Sequence, residues 1–136
     1  MSTDWAEARP HFERFVRAFL QKWRHGRWLQ LPDVEPLKWD MVGAAELWHP
    51  GYAVNGCTRR YKGVLNQLLA ENPFAELLDR KIYLFRLGHD PYPGLRALKL
   101  GDLLEEDPVE AIVSIIPGKL GIALGHSDEV AVAERR

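Results

Sequence analysis

The chain has 136 residues, 46% of them hydrophobic and 27% charged, with a net charge of -1. That length suits one domain, residues 1–136, whose core holds without disulfides or metal. The near-neutral charge excludes nucleic acid or an anionic membrane as a partner selected by bulk electrostatics alone.

Phe12, Phe15, Val16, Phe19, Leu20 and Trp23 follow the i, i+3, i+4, i+7 spacing of one apolar helical stripe. Gly26 is the expected stop. The start is open between Pro10 at the first helical position and a cap formed by Asp4 and Glu7, with Pro10 bending the helix. Residues 27–57 are broken by Pro32, Pro36, Gly43, Pro50, Gly51 and Gly56, and read as a short helix followed by a loop. Tyr61, Val64, Leu65, Leu68 and Leu69 form a second helical stripe with Thr58 as its N-cap. Asn72-Pro73 interrupts it, and Phe74–Leu78 adds about one turn.

Four strands are predicted from there: 81–88, 95–100, 109–116 and 119–125. Pro117-Gly118 suits a tight turn between the last two. Leu120, Ile122 and Leu124 alternate with Gly121, Ala123 and Gly125, which leaves one small face able to admit a closely packed helix. The link 100–109 holds a single helical turn capped by Asp102, and is too short for a comfortable parallel crossover. The expected fold is therefore α+β, with N-terminal helices packed on a C-terminal antiparallel meander of three to four strands. The tail 126–136 is expected to fray.

Cys57 is the sole cysteine, so no internal disulfide forms, which fits a reducing compartment. The first residues lack the pattern of a secretory signal, and no apolar run is long enough to span a bilayer. A cytoplasmic location follows as the expectation.

The string Gly88-His89-Asp90-Pro91-Tyr92-Pro93-Gly94 resembles the Gly-Gln-Asp-Pro-Tyr-His-Gly loop of uracil-DNA glycosylases. In that family the Asp activates water and the Tyr shapes the base pocket. His89 stands here for the Gln and Pro93 for the His, and the family's second signature loop has no counterpart. The same Asp-Pro and Pro-Gly steps also turn a hairpin. His11, His25, His49, His89 and His126 include no pair at metal-ligand spacing, so neither metal nor cofactor is expected. In a four-strand meander the ends preceding His89 and His126 lie at opposite edges, which argues against a joint site. Trp28, Trp39 and Trp48 among Arg24, Arg27 and Lys38 suit either base stacking or a core capped by cations. Arg14, Arg17, Gln21 and Arg24 form a basic face on the first helix.

With no catalytic constellation evident, the expected function is a small binding protein that occludes a macromolecular partner. A bacterial immunity protein or antitoxin-type toxin inhibitor is one example. Its contacts are expected at His89, Asp90 and Tyr92 and at the acidic turn Glu105, Glu106 and Asp107, which suits a basic protein partner. A small hydrolase or lyase using Asp90 and His89 is one alternative. A nucleic-acid-binding domain using the basic first helix is another.

Overall fold

The computed structural model describes residues 4–30, 44–86, 94–106, 108–125 and 129–135. Helices α1 (Asp4–Phe19) and α2 (Lys22–Leu29) come first, then a 3₁₀ turn at Ala44–Leu47. Strand β1 (Thr58–Tyr61) precedes the short helix α3 (Leu65–Leu68) and a 3₁₀ turn at Phe74–Glu76. The remaining strands are β2 (Lys81–Arg86), β3 (Gly94–Lys99), β4 (Ala111–Ile116), β5 (Leu120–Leu124) and β6 (Val130–Glu134). A 3₁₀ helix, Leu100–Glu106, joins β3 to β4.

The α+β class stands, but the sheet has six strands in the order β1-β6-β5-β4-β2-β3, where three to four were expected. The two additional strands complete each other. Thr58 and Tyr61, read as the start of a helix, pair with Ala133 and Val130. The segment expected to fray contains β6, which lies between β1 and β5. In β6, Val130 and Val132 face one side and Ala131 and Ala133 the other, and all four are buried.

The sheet is not a plain meander. Strands β3 and β4 both pair antiparallel with β2, so they run parallel on either side of it. The link judged too short for a crossover passes β2 because Leu100 and Leu103 of the 3₁₀ helix are buried against the sheet. A further consequence concerns β2 and β5, which both pair antiparallel with β4 and so run in the same direction. Their C-terminal ends, Arg86 and Leu124, both align with Ala111. The argument that separated His89 from His126 therefore fails, and both histidines lie outside the described residues.

The sheet has two buried faces, and in β5 and β6 they divide by side-chain size. Ile82, Leu84, Val113, Ile122, Leu124, Val130 and Val132 point towards α3 and the 3₁₀ segments at 74–76 and 100–106. Tyr83, Phe85, Ile112, Ala123, Ala131 and Ala133 lie under α1 and α2. The small face does receive the helix. A Cβ built on Gly121 would sit 2.7 Å from the Val113 carbonyl oxygen and closer still to the Phe15 ring. Pro117-Gly118 forms the expected turn, with Gly118 at φ 71° and the Lys119 N–H donating to Ile116 O at 2.9 Å.

The helical stripe is not continuous to Trp23. Helix α1 ends at Phe19, whose carbonyl accepts from Val54 N at 2.9 Å, and Gln21 N donates to Tyr52 O at 2.7 Å. The docked 52–54 segment takes these backbone groups, and Gln21 adopts an extended ψ of 148°. The helical phase is thereby lost, and α2 runs past Gly26 to Leu29. Trp23, expected in the core, is 61% exposed, and Trp28 is buried instead. Phe15, Phe19, Leu68, Phe85, Val113, Ile115 and Ile122 are buried as expected.

Gly121→Ala should destabilise the fold by about 1–3 kcal/mol through overpacking between Phe15 and the β4 backbone. Urea unfolding followed by circular dichroism measures this. A midpoint equal to wild type would show that α1 can lift from the sheet without cost.

Candidate functional site

The face covered by α3 and the 3₁₀ segments is incompletely closed. Between α3 and the 100–106 helix lies a groove of about 390 Å³, with Val64, Leu65, Leu104, Pro108, Val109 and Leu124 among its lining residues. Gly125, Glu129 and Val130 close its far side. The sequence places each wall. Gln67 Oε1 accepts from Val64 N at 3.0 Å and starts α3, so Val64 sits at the lip and is 40% exposed. In the 100–106 helix Leu100 and Leu103 face the sheet, which turns Leu104 out to 46% exposure. Val64 and Leu104 thus leave apolar surface open around the concavity.

The charge around the groove is one-sided. Residues 100–110 include Asp102, Glu105, Glu106, Asp107 and Glu110 and no Lys or Arg. Asp102 and Glu105 are exposed. Glu106 has a different role from the one expected for the acidic turn. Arg86 Nη2 donates to its backbone carbonyl at 3.0 Å and to its carboxylate at 3.3 Å, and Arg96 Nε lies 3.4 Å from the same carboxylate. With its side chain only 14% exposed, Glu106 fastens the 3₁₀ helix to β2 and β3. His89, Asp90, Tyr92 and Asp107 lie outside the described residues, and so does Trp39. The strand ends flanking residues 87–93, Arg86 and Gly94, are paired with each other. They lie at the same end of the sheet as Ala111 and Leu124, beside the groove.

A second cluster lies on the other face, where α2 meets the 44–56 segment. Arg24 forms a two-pronged ion pair with Glu46, and the Trp28 indole N–H donates to the same carboxylate at 2.6 Å. The Arg24 and Glu46 side chains are only 11% and 13% exposed. Arg24 also lies over the rings of Tyr52 at 4.6 Å and Trp23 at 5.3 Å. The basic face expected on the first helix therefore loses Arg24 to the interior, while Arg14 and Arg17 remain exposed. Trp28 has no solvent-facing surface and cannot stack on a ligand. Cys57 is half-buried and has no disulfide partner.

At the α1–sheet seam, Tyr83 Oη donates to Glu7 at 2.6 Å, Lys81 Nζ donates to the same oxygen at 3.1 Å, and His11 packs on the Tyr83 ring at 4.4 Å. The hydrogen bond from Tyr83 and the nearby Lys81 hold the Glu7 carboxyl below its usual range. Burial pushes the His11 imidazole below 6.5; Arg14, Arg80 and Lys81 act in the same direction and Glu7 opposes them. His11 Nδ1 and Ser114 Oγ are buried without protein partners. Among the described residues there is no cluster of His, Cys, Asp and Glu able to hold a metal, and no helix long and apolar enough to cross a membrane.

Sequence reasoning marked one wall of the groove, 102–110, through its charge. It missed the wall at Val64 because that residue was assigned to the buried stripe of a longer helix. Comparison with family models, curated proteins and solved structures yields no match, so the functional reading rests on the geometry alone.

Glu46→Ala should cost about 3–5 kcal/mol in urea unfolding, because it leaves a buried guanidinium without its counter-charge. Glu46→Gln, which keeps an acceptor for Trp28, should cost less. Equal losses would show that the charge is irrelevant. For His11, the unfolded chain binds more protons than the folded one between the lowered folded pKa and 6.5, so stability should fall as pH drops through that window. His11→Gln should flatten the slope there, and an unchanged slope would assign it to other groups.

Proposed function

We propose that the protein is a binding module that occludes part of a macromolecular partner through the α3/100–106 groove. The partner is a protein that inserts an apolar side chain flanked by Lys or Arg. An inhibitor of the immunity or antitoxin kind is one example of such a module. The observation that carries this reading is the combination of an open apolar groove, Val64 and Leu104 exposed at its lips, and the carboxylates Asp102 and Glu105 beside it. This arrangement follows the anatomy of protein interfaces, a desolvated apolar centre inside a polar rim. The rim charges would act mainly on encounter rate and on rejection of acidic competitors, while the apolar insertion would hold the complex. The hydrolase or lyase reading rests on Asp90 and His89, outside the described residues, and no geometry favours it.

The test is affinity capture from the host with wild type, Leu104→Asp and Glu105→Lys, each first confirmed to be folded by its thermal transition. Leu104→Asp should lose the partner that wild type retains, and that partner should present basic residues at its contact. Glu105→Lys should slow association several-fold at low salt, with the difference shrinking as salt rises. Retention of the same partner by Leu104→Asp at wild-type affinity would end the proposal.

A further inference from the structure

The α2/44–56 cluster borders a second concavity, of about 490 Å³, on the opposite face of the sheet from the groove. Its lining includes Gln21, Trp48, His49, Asn55 and Thr58. We infer that it is a binding site for single-stranded nucleic acid, in which a base stacks against Trp48 and His49 while Arg60 and Lys22 take the phosphates.

The aromatic surface is built in advance. His49 stacks on Tyr52 with ring centroids 4.4 Å apart and an interplanar angle of 24°, and His49 is exposed. Tyr52 is held in turn by Trp23 at 5.2 Å and by Arg24, which the half-buried Glu46 fixes in place. The Gly51 N–H donates to His49 Nδ1 at 3.1 Å, so in the neutral ring the proton sits on Nε2, available to a base edge or a phosphate. Trp48 carries Arg60 over its ring at 5.8 Å. Preset rings lose little entropy on stacking, and stacking tolerates any base.

The charge of this surface selects an anion. Residues 14–32 and 47–70, which supply α2 and the 47–62 wall, contain no Asp or Glu. They contribute Lys22, Arg27, Arg60 and Lys62, all exposed, while Arg59, paired with Val132, faces the other side of the sheet. Among the described residues, Glu46 and Glu129 reach in from elsewhere. Glu46 is consumed by Arg24 and Trp28, and Glu129 pairs with Arg60 at 2.9 Å. The Arg60–Glu129 pair is solvent-exposed, 60% on the arginine side, and such pairs exchange readily for a phosphate. This is a different surface from the basic face of the first helix. It lies where aromatic rings and cations coincide, and a neutral sugar would have no use for the cations.

The experiment measures fluorescence anisotropy of a labelled oligothymidylate of about 12 nucleotides, within the footprint of known single-strand readers. Duplex DNA of the same length and free AMP serve as parallel probes. Saturable binding of the single strand is expected, with a log-affinity slope of about -0.7 per phosphate contact against log salt. His49→Ala and Arg60→Gln should each weaken it several-fold, and Trp48→Ala by about tenfold or more. Leu104→Asp should leave it unchanged, which separates this site from the groove. Should Trp48→Ala prove unstable, the exposed His49→Ala decides. The inference is overturned by an absence of binding at low salt, by equal affinity for duplex, by AMP binding as tightly as the oligomer, or by His49→Ala binding like wild type.

Discussion

The architecture depends on how closely α1 approaches the sheet. Phe15 rests where Gly121 has no side chain, and Ala123, Ala131 and Ala133 continue that shallow surface across two strands. Phe12 and Phe19 descend into the same trough, with Phe12 meeting Phe85 at 5.2 Å and Phe15 meeting Phe19 at 5.1 Å. A larger residue at any of these sheet positions would raise the helix and open the densest part of the core, where gaps and overlaps are both costly. The bulky residues of the same strands are committed to the other face. That face consequently has an excess of apolar surface and only short helical pieces to cover it, which is why a groove remains between α3 and the 100–106 helix.

The same close packing accounts for the aromatic cluster. With α1 seated deep, its C-terminal carbonyls are within reach of the 52–54 segment, which hydrogen-bonds across the Leu20–Gln21 break. The break turns Trp28 inward and Trp23 outward and brings Arg24 against Glu46. A buried ion pair of this kind is weak evidence for stability but strong evidence for position, since neither partner tolerates a wrong neighbour. Here it fixes the Ala44–Leu47 turn, and with it Trp48 and His49, relative to α2. The two candidate surfaces are thus products of one event, the descent of α1 onto the small face of the sheet.

They differ in what they can recognise. The groove is apolar at its centre and acidic at its edge, whereas the Trp48 concavity is aromatic and basic. The formal charge of -1 hides this division, because the cations of α2 and β1 and the carboxylates of residues 100–110 cancel in the sum. The two fields meet at Glu129, which lines the groove and pairs with Arg60 of the other surface.

Much of the fold was written in local pattern. The period of Phe12, Phe15, Val16 and Phe19, the alternation of Leu120, Ile122 and Leu124 with Gly121 and Ala123, and the Pro117-Gly118 turn each act over a few residues, and each appears in the structure as read. The acidic wall of the groove was legible for the same reason, since charge is local. What the sequence by itself could not determine was anything requiring a partner distant along the chain. Strand β1 exists because β6 pairs with it; Thr58-Arg59-Arg60-Tyr61 alone has as much reason to begin a helix. Strand β3 lies outside β2 because Leu100 and Leu103 find the sheet, and Trp23 is exposed because Tyr52 and Val54 take the hydrogen bonds at the end of α1. Only the tertiary structure decided these, because the hydrogen bonds and buried contacts that settle each choice come from residues that local periodicity cannot bring together.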